Sequence, residues 1–425
     1  TIDYATVAGG TATGGVAPCD AAEDYSDTAG TLQWAHGINT PQNFTVPICP
    51  DTDYEGNETV NLQVTNPTGG GVLGTPDTAV LTINDDDPVP ATLVVTKIAD
   101  TNDGGCSSTD CSLREAILAA NSTAGSNTIT FSSLFNTPQT ITLGGDLLLI
   151  ANPSGADMTT ITGPGANLLT VLGNGTSRVF ELDGSDQAAI SGMTITGGGG
   201  GAGTSGTFTG FGGAIYNTGT LTVTGVVIFG NSAGTDGGGI YCSTNDSLTV
   251  IDSTVRNNSA PDGGGVYGTT GADVTIIGST INNNFLAGSP GHGGGGVTGF
   301  GTTIIDRSTI STNQSLDDGG GIYIGNGTLD LTNSTVTGNT ATLAGGGVYR
   351  EASGITVTVR NTIIANNVDD GTAPDFFGAL NSNGFNLIEN TTGSTINEVS
   401  GAATITGQDP NLGPLADNGG PTFTH

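Results

Sequence analysis

Few residues in this 425-residue chain stand where acid–base or nucleophilic chemistry would need them. His292 lies in Gly-His-Gly at 291–293, and the nearest carboxylate pair, Asp317–Asp318, follows it rather than preceding it. Hydrolysis of a glycosidic bond needs two carboxyl groups flanking the scissile oxygen, one as acid and one as base. Elimination at an acidic sugar needs an Arg or Lys base beside a cation-binding acidic cluster. Arg256 and Arg307 are instead single arginines on strand-like runs. The expectation is a protein that builds or binds, not an enzyme. Cysteine chemistry points the same way. Cys19 and Cys49, then Cys106 and Cys111, fall as pairs within short modules, which suggests local disulfides and an oxidising compartment. The spacing of Cys-Ser-Ser-Thr-Asp-Cys at 106–111 is wrong for CxxC redox chemistry, and Cys242 is left over as a buried strand thiol.

Composition narrows the class further. Glycine supplies 73 residues without a G-X-Y period, which excludes collagen. Seven basic against 39 acidic residues give a net charge of −32, and Lys97 is the sole lysine. Such a chain cannot neutralise phosphates, so a nucleic-acid partner is excluded. The acidity fits a protein exposed to water and divalent cations. No stretch approaches the ~20 apolar residues of a membrane span, and no signal peptide is present. The chain therefore reads as a mature or trimmed extracellular product, secreted or held at the cell surface.

The strongest internal signal is a repeat. Gly-Gly-x-(Ile/Val), usually followed by Tyr, places its aliphatic residue at Ile215, Ile240, Val266, Val297, Ile322 and Val348, with steps of 25, 26, 31, 25 and 26 residues. Each period holds three short apolar runs separated by turns, such as Leu-Thr-Val-Ile at 248–251 and Ser-Thr-Val at 253–255. Three strands per period make one coil of a right-handed parallel β-helix, and identical positions stack at ~4.8 Å. Residues 127–425 then hold about eleven coils. Asn231, Asn258, Asn284, Asn313, Asn339 and Asn366 recur at one turn and are expected to form an internal amide ladder. The repeated glycines allow close backbone approach at a corner.

Residues 1–88 differ. Runs at 31–34, 43–48, 59–64 and 79–83 alternate with period two, as in an antiparallel β-sandwich. DYAT at 3–6, GTAT at 10–13, GTLQW at 30–34, EGNETV at 55–60, NPTGG at 66–70 and TINDDD at 82–87 occur in the order that resembles the Calx-beta domain. That family opens with a strand ahead of the DYAT position, so the resemblance implies a missing first strand and an unpaired edge. It also implies calcium, held by oxygen ligands from Asp24, Asp51, Glu55, Glu58, Asp85, Asp86 and Asp87.

Residues 89–126 read as a linker, a capping strand and a short helix over 111–121, in which Ser112 and Glu115 form a capping box and Leu113, Ile117 and Leu118 share one face. This helix is placed to cover the first coil of the β-helix. Together with AsnGlyPheAsnLeuIle at 383–388 and the run at 409–422, it resembles bacterial choice-of-anchor β-helix proteins. The GGAIY repeat at 212–216 is similar to chlamydial polymorphic outer-membrane proteins. Pectate lyases and polygalacturonases share the β-helix, and the Gly-His-Gly run matches one polygalacturonase motif, but the Asn-Thr-Asp and Arg-Ile-Lys motifs are missing. The fold class is therefore all-β, a sandwich followed by a parallel β-helix. Two functions fit it: a self-assembling filament subunit whose copies join head-to-tail by strand complementation, with the segment Pro421–His425 as donor, or an adhesin binding glycans or partner cells. A polysaccharide lyase or glycoside hydrolase is the weaker third.

Overall fold

The computed structural model describes residues 1–19, 23–50, 54–152, 157–184, 186–201, 209–288 and 293–425. The chain divides into two compact units, one built from residues 1–90, 94–97 and 101–119, the other from 91–93, 98–100 and 120–425.

The first unit is an antiparallel sheet in the order Ala29–Leu32, Ile2–Val7, Glu58–Thr65, Thr78–Ile83. A smaller layer pairs Gly14–Gly15 with Tyr25–Ser26, and Ile48 bridges to Tyr25. Of the expected strand at 43–48 only that bridge forms, as Pro47 offers no backbone donor to a ladder. The unpaired edge expected beside the opening strand is also not there. Ile2–Val7 has neighbours on both sides, and the sheet edges are Ala29–Leu32 and Thr78–Ile83. Val60 is fully buried, joined by Tyr25 and Cys49, while most other strand residues of this sheet are half-buried. Disulfides Cys19–Cys49 and Cys106–Cys111 close two of its loops.

Helix Leu113–Ser122 begins with the expected capping box: Ser112 N donates to Glu115 Oε2 (2.7 Å), and Glu115 N donates to Ser112 Oγ (3.1 Å). Its buried stripe is Leu113, Ala116, Ile117 and Ala120; Leu118 is 43% exposed and falls outside it. Small alanines take the inner positions that periodicity alone assigned to a leucine.

The second unit is a parallel β-solenoid of about nine turns. Each repeat places a five-residue strand on one face, a three-residue strand on a second and another on a third, as in Ser247–Ile251, Thr254–Arg256 and Val266–Gly268. About nine turns is fewer than the eleven coils expected from the period: among the described residues the second face holds eleven strands but the third face only nine. Phe376–Ser382 runs straight through the corner, so its first residues form the ninth third-face strand and its last ones open the next turn. No third-face strand follows Leu387–Ile388 or Ile405–Thr406 among the described residues. Ile215, Ile240, Val266, Val297, Ile322 and Val348 pair in register from turn to turn and are all buried. Gly265 shows why small residues precede them. A Cβ there would sit 2.4 Å from the Gly296 carbonyl oxygen and 3.0 Å from the Asn284 amide.

The amide ladder runs Asn231, Asn258, Asn284, Asn313, Asn339 and Asn367. Each Nδ2 donates to the Oδ1 of the next at 2.9–3.0 Å. The same oxygen also accepts the previous asparagine's backbone N–H, as between Asn258 and Asn284 (3.1 Å). The last rung is thus Asn367, not Asn366. In every turn a left-handed corner residue precedes the rung (Gly230, Asn257, Asn283, Thr312, Gly338), and Asn366, with φ +60°, is that corner. Beyond Asn367 the ladder ends on Asp375, whose Oδ1 accepts both the side-chain and backbone N–H of Asn367. A second ladder joins Ser253, Ser279, Ser308, Ser334, Thr362 and Asn386, each side-chain oxygen accepting the backbone N–H one turn earlier.

After Ile405–Thr406 the chain turns back over the second face. Thr422 Oγ1 donates to Gly278 O (3.0 Å), and Thr280 Oγ1 donates to Phe423 O (2.6 Å). Outward-facing Thr280, Asn282, Thr309, Ser311 and Thr337 are buried. The segment Pro421–His425, expected as a strand donor for a neighbour, is therefore held by its own solenoid.

Replacing Asn284 with Ala leaves two donors of Asn258 without partners and removes the amide's bond to the Val255 carbonyl. Each such group costs about 1–3 kcal/mol, so urea unfolding followed by far-UV circular dichroism should show a loss of several kcal/mol. Asn366→Gly, at the exposed left-handed corner, should leave the midpoint unchanged.

Candidate metal centre

The register of the first sheet sets the site. Glu58, first residue of Glu58–Thr65, pairs with Ile83, so Asn84–Asp87 leaves the partner strand beside it. Asp24 arrives from the smaller layer, where its backbone N–H donates to Thr13 O and its carbonyl accepts Cys49 N. The Cys19–Cys49 disulfide ties that layer to the cleft wall. Asp24, Cys49, Glu55, Gly56, Glu58 and Asn84–Asp87 line one cleft of about 390 Å³.

Asp24, Glu55 and Glu58 each bring a carboxylate oxygen within 4.8 Å of the others. Asp85 lines the same cleft but its oxygens already accept Glu55 N (3.0 Å), Gly56 N (2.6 Å) and Asp87 N (2.9 Å). Most of its acceptor capacity thus goes to positioning the Glu55–Gly56 corner. Gly56 has φ +79°, and the tight approach of Gly105 to the Glu55 carbonyl holds the corner from outside. Asp86 and Asp87 complete the lining, and Asp51 lies outside the described residues.

Electrostatics mark this cleft as short of positive charge. Burial, then a hydrogen bond from the protonated Glu58 to Asp24 and the charges of Asp24, Glu55 and Asp85, push Glu58 up to about 8. A proton held between Glu58 and Asp24 is one way to relieve the repulsion; a hard cation is the other. The donor set is all oxygen and carboxylate-rich, which suits Ca²⁺. Such an ion would be held by Asp24, Glu55 and Glu58, and it would neutralise charge and fix the two loops against each other.

Residues singled out for other chemistry lie elsewhere. Arg256 rests over the Phe229 ring at 4.8 Å, and Arg307 pairs with Asp306 (2.5 Å). Asp318 accepts Ala344 N (2.9 Å), and the buried Asp317 makes a turn with Ser315. His292 lies outside the described residues.

Two features escaped the sequence reading. Tyr216, Tyr241, Tyr267, Phe300, Tyr323, Tyr349 and Phe377 form one aromatic column along the third face, with centroids 4.8–6.0 Å apart. Tyrosine after most Gly-Gly-x-(Ile/Val) runs was its signal, with Phe300 filling the place where Thr298 follows Val297. Beside it, burial and then Asp262 push Asp236 up to about 7. The two share the position four residues before the aliphatic, one turn apart.

The linkage sign at Glu58 is definite. Native protein holds a proton to pH about 8 that the unfolded chain releases near its ordinary value of 4.5. Unfolding therefore releases protons between those values, and stability falls as pH rises. In chelator, the melting temperature of the first unit should drop across that window, and Glu58→Gln should flatten the curve. Calcium should raise melting most at the alkaline end, increasingly with concentration.

The model of the Calx-beta domain family matches residues 1–87. No curated protein and no solved structure matches the chain. Residues 1–87 are a Calx-beta domain, and a β-solenoid follows it.

Proposed function

We propose that the protein is an extracellular structural subunit that assembles into a surface filament, its copies joined head-to-tail by β-strand complementation and stiffened by calcium in the carboxylate cleft. The observation that carries this reading is the continuity of bonding along the solenoid. Three faces and two internal side-chain ladders connect successive turns, so tension is shared by many parallel hydrogen bonds. The two disulfides support an oxidising, extracellular setting. So does the resemblance of the repeat to bacterial surface β-helix proteins. With Ile2–Val7 paired and the C-terminal segment strapped down, complementation uses other edges. The acceptor is Ala29–Leu32, and the donor is the neighbour's last turn, where Ser394–Glu398 and Ile405–Thr406 are each paired on one side.

The aromatic column favours this reading over a glycan-binding adhesin. Tyr216, Tyr241 and Tyr267 stack within 15° of parallel to one another and spend ring faces on each other. Sugar stacking needs an open ring face.

Negative-stain imaging of purified protein in calcium should show filaments with an axial repeat, and chelation should shorten or disperse them. Single particles at every calcium and protein concentration would overturn the assignment.

A further inference from the structure

The other edge of the first sheet has a different character. Thr78–Ile83 bonds to Glu58–Thr65 on one side and, among the described residues, to no strand on the other. Thr78, Ala79, Val80 and Thr82 are exposed, Val80 by 64%. Natural sheets blunt such edges with charge, proline, bulges or brevity. None of these devices occurs within Thr-Ala-Val-Leu-Thr-Ile.

We propose that two copies of the chain pair through Thr78–Ile83, antiparallel about a two-fold axis at Val80, to form one continuous sheet. The proposal rests on the self-association read above but not on the head-to-tail joint, which uses the opposite edge.

Charge, together with the length of strand that can pair, selects the partner and the register: centring on Ala79 also keeps acids apart but pairs only residues 78–80 of the strand. Each copy carries −32, so contact between copies is opposed wherever acids face acids. This strand is uncharged, and its own sequence offers apolar and hydroxyl partners. Leu81 and Ile83 lie on the half-buried side, while Thr78, Val80 and Thr82 lie on the exposed side. A slip of one residue would mix these faces, so only registers pairing even with even positions are allowed. Centring on Leu81 sets Asp77 opposite Asp85 at both ends. Centring on Ile83 draws Asp85 and Asp87 into the ladder. Centring on Val80 pairs Val80 with Val80, Thr78 with Thr82 and Ala79 with Leu81, and it sets Asp77 opposite Ile83. No acid then faces an acid, and Thr–Thr and β-branched pairs are favourable cross-strand contacts.

A single strand pair is a small interface, so the dimer should dissociate on dilution. Sedimentation velocity on the full chain should show a monomer–dimer equilibrium within a range up to about 100 µM. Val80→Glu, at an exposed position, should weaken dimerisation about tenfold or more by setting like charges on the axis. Mixing Val80→Glu with Val80→Lys should restore it. Oxidation should link Val80→Cys into a covalent dimer, since opposed Cα atoms lie about 4.5–5.5 Å apart. Leu81→Cys alone should not link, whereas a mixture with Ala79→Cys should. Cys242, the other free thiol, is buried and gives no background. A monomer throughout, a dimer indifferent to Val80→Glu, or linkage through Leu81→Cys alone would each overturn the proposal. Dimers without filaments would instead sink the filament reading and leave this pairing standing.

Discussion

The interior of a β-solenoid has no water to fall back on, so every polar atom that enters it must be satisfied by the turn above or below. The asparagine ladder is the molecule's solution at its sharpest corner. Each amide there donates twice and accepts twice, the full capacity of the group used in that geometry. The period of the repeat follows from this constraint. A turn one residue out of step would strand two donors. The ladder also has a direction, with every Nδ2 pointing toward the C-terminus. Its end must therefore be an acceptor with no hydrogens to offer, and Asp375 takes that place. Burial pushes this carboxyl up, while N–H donors from Asn367 and Asn390 pull the other way.

The two units solve the stability problem differently. In the solenoid, apolar columns and ladders repeat, so each turn rests on its neighbours. The Calx-beta domain has few fully buried side chains and leans on a disulfide, an organising aspartate and a crowded carboxylate cleft. Its strain is concentrated where charges meet, at Glu58. A hard cation held by Asp24, Glu55 and Glu58 would relieve it.

Much of this was legible in the chain because the features are local or periodic. Ile215 to Val348 could be aligned by eye, since one aliphatic per turn against an invariant corner leaves a clear trace. The ladder was legible to within one residue. At 366–367 two asparagines adjoin, and left-handed corners and rungs both accept that side chain. Only φ separates them. The serine ladder was missed because serine beside threonine in Ser-Thr-Val resembles ordinary strand composition. The carboxylates of the cleft were named through resemblance, but the role of Asp85 was not readable. That its oxygens are largely taken up by Glu55, Gly56 and Asp87 is a fact of three-dimensional approach. The C-terminal strap left no mark at all, because outward threonines look the same covered or bare.

That strap changes how the solenoid can come apart. A linear array of turns held only to nearest neighbours frays from its end, one turn at a time, each opening costing little more than the last. Here Thr422 and Phe423 grip Gly278 and Thr280, five second-face strands before Ile405–Thr406. The terminal turns cannot peel singly while that grip holds. Fraying is converted into an all-or-none event over the last five turns, and backbone amides there should exchange with solvent as a single slow block.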